Sequence, residues 1–144
     1  MSNTQQARIV IAAKPQPIRW PVTIKLLTDG GEQSAFQFDV WFARLTLPEG
    51  LQLDAEFPKL GDGATDWEYQ QRDAELFSRI LTGWSDNLVI EDAHGSPMPS
   101  GSQPERVAAL HRLFESAEGG QFRLALWRAY TDWRSGQPAL ATKN

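Results

Sequence analysis

The densest group of reactive side chains in the sequence is the run Glu91-Asp92-Ala93-His94, inside LTGWSDNLVIEDAHGSPMPS from Leu81 to Ser100. A carboxylate pair beside an imidazole has the parts of a general acid and base, or of a metal site completed by carboxylates. Gly95, Pro97 and Pro99 follow at once, and a turn rich in Asp, His, Gly and Pro has the same composition without any chemistry. A hydrolase centred on His94 would also need a nucleophile or oxyanion donors brought in by the fold. The turn reading is therefore preferred, with Glu91, Asp92 and His94 facing solvent and no catalytic residue assigned. The second histidine, His111, is not spaced with His94 for zinc and reads as a solvated residue on the charged side of a helix.

Other candidate chemistry is weaker. No cysteine occurs, which excludes thiol catalysis, thiolate metal sites and disulfides. GDGATDWE lacks the lysine of a phosphate-binding loop, the strand-turn-helix setting of a dinucleotide fingerprint and the ligand spacing of an EF-hand. Asp62, Asp66, Glu68, Asp73 and Glu75 read as a solvated helix face, several of them near a helix N-terminus. The sequence thus calls for no cofactor and no metal, and the expected function is not enzymatic.

The elements that would position any site follow from composition and period. With 144 residues, 41% of them hydrophobic and 22% charged, the chain is long enough for one ordinary domain. A net charge of −4 gives no basic stripe for a phosphate backbone, so nucleic acid is not expected as a partner. No apolar stretch reaches eighteen residues, so no membrane span is expected, and the run Ile9 to Ala13 is too short for a signal-peptide core. Six tryptophans exceed what a small core requires, and some of them should be partly exposed.

Residues 1–19 lack a period and read as a flexible N-terminal tail. In PVTIKLL, Val22, Ile24 and Leu26 alternate with Thr23 and Lys25, the period of a half-buried strand. Asp29, Gly30 and Gly31 supply a turn that tolerates positive φ. The return strand AFQFDVWFARL faces Phe36, Phe38, Val40 and Phe42 one way and Trp41 the other. Residues 20–46 form this hairpin, and 46–66 read as an extended connection with room for a short helical or strand piece.

A capping box, Thr65 with Glu68, opens a helix carrying Phe77, Ile80, Leu81 and Trp84, with Gly83 marking its end. A second box at Ser102 opens a helix burying Val107, Leu110, Leu113, Phe114 and Ala117, which Gly119 and Gly120 stop. A third helix puts Phe122, Leu126, Ala129, Tyr130 and Trp133 on one face and Leu124 and Trp127 on another side. Residues 136–144 read as a flexible C-terminal tail. The fold class is α+β: an N-terminal antiparallel hairpin followed by about three helices, spanning residues 20–135 as a single domain.

A small acidic chain with surplus aromatics suits a binding protein that grips amphipathic segments through a few anchors. Trp41, Leu124 and Trp127 are the candidate contact residues, because each is an apolar group off the main buried stripe. Trp84, Gly95, Pro97 and Tyr130 are the candidate structural anchors.

Three stretches in order carry a resemblance. WPVTIKLLTDGGEQSAFQFDVWFARL, LTGWSDNLVIEDAHGSPMPS, and FRLALWRAYTDW with the terminal KN resemble the opening hairpin, the Gly-Trp helix end with its acidic-Gly-x-Pro-x-Pro turn, and the last helix of the tail assembly chaperones of long-tailed phages and prophages. The resemblance covers Trp20 to Asn144. It departs at 46–66, proline- and glycine-rich where a charged helical segment is more usual, and at ESAEGG, which lengthens the junction before the last helix. The resemblance implies a stoichiometric chaperone in the bacterial host cytoplasm that keeps the tape measure protein soluble, guides tail-tube assembly and is absent from the mature virion. Its partners would be the tape measure protein and other tail proteins. Self-association through hairpin edges is compatible with the sequence, as is a monomer. The alternative is a structural minor tail or tail-completion protein that stays in the virion.

Overall fold

The computed structural model describes residues 7–136; the C-terminal tail reading at 137–144 and residues 1–6 lie outside the described residues. β1 (Ile18–Leu27) and β2 (Gln33–Phe42) pair antiparallel from Ile18 opposite Phe42 to Leu27 opposite Gln33. The turn between them has Gly30 and Gly31 at φ of 83° and 79°, where a side chain would be strained. Alternation places Val22, Ile24, Phe38, Val40 and Phe42 in the core, as the period of two requires. Ile18 and Arg19, read from sequence as part of the tail, belong to β1.

The connection at 46–66 contains a helix, α1 (Leu47–Glu56). Thr46 and Glu49 form a reciprocal capping box there, with Pro48 in the first turn where its missing N–H is not needed. α2 (Asp66–Ile80) starts at the Thr65 box and ends at Ile80. The chain then becomes β3 (Leu81–Trp84), a third strand on the outer side of β2, instead of continuing the helix to Gly83. Leu81 pairs with Phe42 and Trp84 with Val40, across a register shift next to Trp41. Strand pairing wins here because a helix through Trp84 would leave the backbone of Asp39 without partners. As built, Asp39 N–H donates to Ser85 Oγ, and Ser85 N–H donates to Asp39 O, both at 2.8 Å.

α3 (Gln103–Glu115) opens at the Ser102 box, and α4 (Gly119–Arg134) follows after a short link. Gly119 and Gly120 do not stop α3, which ends at Glu115 with Ser116 as its cap; they open α4, with Gly119 so close to α3 that a Cβ would lie 2.0 Å from Phe114 O. Among the described residues the result is α+β, a three-stranded antiparallel sheet in the order β1-β2-β3 with four α-helices. α4 lies across the inner face of the sheet: Trp133 stacks on Phe42 with ring centroids 4.7 Å apart, and Phe122 meets Phe38 at 6.1 Å. No helix among the described residues is long and apolar enough to cross a membrane.

Candidate binding face on the last helix

The run from Glu91 to Pro97 is a backbone turn whose carboxylate is engaged. Asp92 Oδ1 accepts the N–H groups of His94 at 2.8 Å and Ser96 at 3.0 Å, while Gly95 takes φ of 79°. Those two amides hold the Asp92 carboxyl below its ordinary range. Glu91 pairs with Pro97 across the turn, Arg112 of α3 donates to Glu91 O at 3.0 Å, and Met98 N–H donates to Ile90 O. Glu91 and His94 are exposed, and buried Ile90 anchors the segment. Gly95 and Pro97 shape the turn, and Trp84 leaves β3 packed partly against the core.

A different carboxylate is the most enclosed charge in the described chain. Asp73, expected on a solvated helix face, is 2% exposed. It lies one helical turn before Phe77, on the α2 stripe that meets α4. Its Oδ2 accepts the Trp127 indole N–H at 3.0 Å and Arg123 Nη1 at 3.2 Å, and its Oδ1 accepts Arg72 Nη1 at 3.2 Å. Two guanidinium groups and one indole donor offset the desolvation of the carboxylate, which burial alone would make prohibitive. Arg72 also donates to the carbonyls of Phe57 at 2.7 Å and Pro58 at 3.1 Å, so one cluster joins the end of α1 to α2 and α4.

Trp127 is therefore not the free apolar ridge that its position off the main stripe suggested. Its ring packs edge-on against Phe77 at 5.0 Å and meets Tyr130 at 5.9 Å. Tyr130 sits among Phe42, Phe77, Trp127 and Trp133, with its hydroxyl accepting Arg134 Nη1 at 2.6 Å. His111 is half-buried, with Nδ1 enclosed, because it lies one turn beyond Val107 beside the buried stripe.

Leu124 is 53% exposed and stands on the outward ridge of α4 between two depressions. One, of about 450 Å³, runs between Pro21–Lys25 of β1 and the α4 residues Gln121, Leu124, Arg128 and Asp132. The other, of about 270 Å³, is walled by Leu124 and Trp127 with Tyr69, Arg72 and Arg123. Trp127 is shared with a third hollow of about 320 Å³ under α1, where Leu53, Phe57, Leu76 and Tyr130 face inward. Leu124 thus borders the first two depressions, and Trp127 the second and third.

Trp41 is not part of this face. It lies on the opposite side of the sheet, half-buried, with the Arg19 guanidinium 5.5 Å from its ring centre. Arg19 is held there by an ion pair with Asp39, Nε to Oδ2 at 2.7 Å. Sequence reasoning missed the exposed apolar residues of α1, Leu47 and Leu51, and Trp67 at the start of α2. The Thr46-Glu49 spacing was the signal that would have placed the first two on a helix. Comparisons of the chain with family models, with curated proteins and with solved structures found no match.

Proposed function

We propose that the protein is a non-catalytic assembly chaperone of the phage tail type, binding an amphipathic helical partner, the tape measure protein, along the outward face of α4. The observation that carries this reading is the exposed Leu124 ridge with a depression on either side, each lined in part by charged groups. Such a surface fits a helix that presents apolar side chains at intervals of three and four residues within polar surroundings. Arg123, Arg128 and Asp132 at the rims supply the polar contacts that fix register. α1 also supplies a helix where the composition of 46–66 departs from the chaperone pattern, which brings the element order closer to that pattern.

The test is co-expression with the long helical protein encoded nearby, with its soluble yield and co-purification as readouts. Leu124→Asp is the better probe than a change at Trp127, because Leu124 is exposed and makes no part of the Asp73 cluster. Wild type should hold the partner in solution, and Leu124→Asp should lose at least tenfold in capture while keeping its circular dichroism. Equal capture by both versions removes α4 from the reading. Recovery of this protein in purified particles at stoichiometric amounts replaces the chaperone with a structural tail component.

A further inference from the structure

β1 has a free edge whose hydrogen-bonding groups can be assigned from β2. The carbonyls of Gln37, Asp39 and Trp41 accept from Asn87, Ser85 and Thr82, so these residues turn their backbone toward β3. In an antiparallel pair the residues opposite them must turn their own N–H and C=O groups outward. Those residues are Thr23, Pro21 and Arg19, and by alternation Lys25 as well. Pro21 is in place there because an outward position has no ladder N–H to lose. Thr23 and Lys25 keep theirs, and among the described residues no segment pairs with them. β1 is ten residues long, against four in β3 at the other edge. The groove of about 450 Å³ runs beside this edge.

The same chain carries a segment suited to that edge. Ile9, Val10 and Ile11 are 86%, 65% and 91% exposed, three consecutive β-branched residues with no cover. Between them and β1 stand Lys14-Pro15-Gln16-Pro17, whose two prolines favour extended backbone of about 3 Å per residue. This linker carries the segment away from its own edge instead of reversing it in a tight turn.

We propose that two copies of the chain exchange these arms, the stretch Ile9–Ala13 of each adding as a strand to the free edge of β1 in the other. Alternation seats Ile9 and Ile11 on one side, toward the groove beside Leu124, and the Thr23 and Lys25 amides supply the backbone pairing. Because each arm reaches the copy that reaches back, the assembly closes as a two-fold dimer and leaves neither β1 edge open. The inference needs no tail protein, but the arm takes the β1 side of the groove that the chaperone reading gives to a helical partner, so arm and partner compete there.

Sedimentation equilibrium of the full chain tests it. Wild type should give the mass of two chains. Ile9→Asp combined with Ile11→Asp should give the mass of one, and so should Thr23→Pro, which removes an outward amide. The arm variant lies outside every helix and strand, so it remains informative if Thr23→Pro disturbs the sheet. A wild-type mass of one chain, or a dimer that survives the arm variant, overturns the proposal.

Discussion

α1 and α2 begin alike and are held very differently. Each opens with a threonine whose hydroxyl accepts the N3 amide while the N3 glutamate accepts the threonine N–H. Yet α1 buries Leu53 alone, and α2 buries six residues including Phe77 and Asp73. Leu47 and Leu51 of α1 are 76% and 61% exposed. What ties α1 down is polar: Arg72 donates to the carbonyls at its end, and Arg79 pairs with Glu56 at 2.6 Å. A cap decides where a helix starts, and burial decides how firmly it stays.

The comparison is broken most forcefully at Phe77. Phe77→Ala removes a fully buried ring in contact with Phe114, Trp127 and Tyr130, and should lower stability by about 3–5 kcal/mol. Leu53→Ala should instead expose the Tyr130 hollow while moving the global denaturation midpoint far less. Equal losses in the two variants would mean that α1 belongs to the cooperative core.

Asp73→Ala comes next. It leaves Arg123 and the Trp127 indole without their acceptor, and should cost about 2–3 kcal/mol by chemical denaturation. Trp127 emission should shift to the red as the ring loosens. An unchanged midpoint would show that the cluster contributes geometry without stability.

The smallest effect sharpens the contrast by acid. The Glu49 carboxyl is held below its ordinary value by the Thr46 N–H and hydroxyl, and that of Glu56 by the Arg79 guanidinium. A carboxyl depressed in the folded state stabilises above its ordinary value of 4.5 and loses that contribution as pH falls through the lower folded value. Amide exchange corrected for intrinsic rates should therefore rise in α1 before α2 as pH drops below 4.5. A simultaneous rise in both would erase the distinction.

The sequence made the hairpin legible down to its turn glycines, because alternation and positive φ leave local marks. Thr65 and Ser102 marked two helix starts for the same reason. Thr46-Leu47-Pro48-Glu49 carried an equal mark, but the surrounding glycines and prolines outweighed it in the reading. β3 was hidden because LTGW continues a helical spacing, and only the backbone needs of β2, supplied from distant sequence, draw it into the sheet. Asp73 was misread because an acidic residue beside other acidic residues looks solvated. Its partners Arg123 and Trp127 are fifty residues away or more. Of the three candidate contact residues, Leu124 alone is openly exposed; Trp127 is engaged by α2, and Trp41 is covered by Arg19 on another face.

The placement of α4 over the hairpin governs how the chain emerges from a ribosome. β1 and β2 can pair once Phe42 has cleared the ribosome, yet the rings that shield Phe38 and Phe42 belong to α4. At ordinary translation rates some ninety further residues take roughly five to twenty seconds to add. For that interval the hairpin's apolar side is open to its surroundings, until α4 follows and covers it.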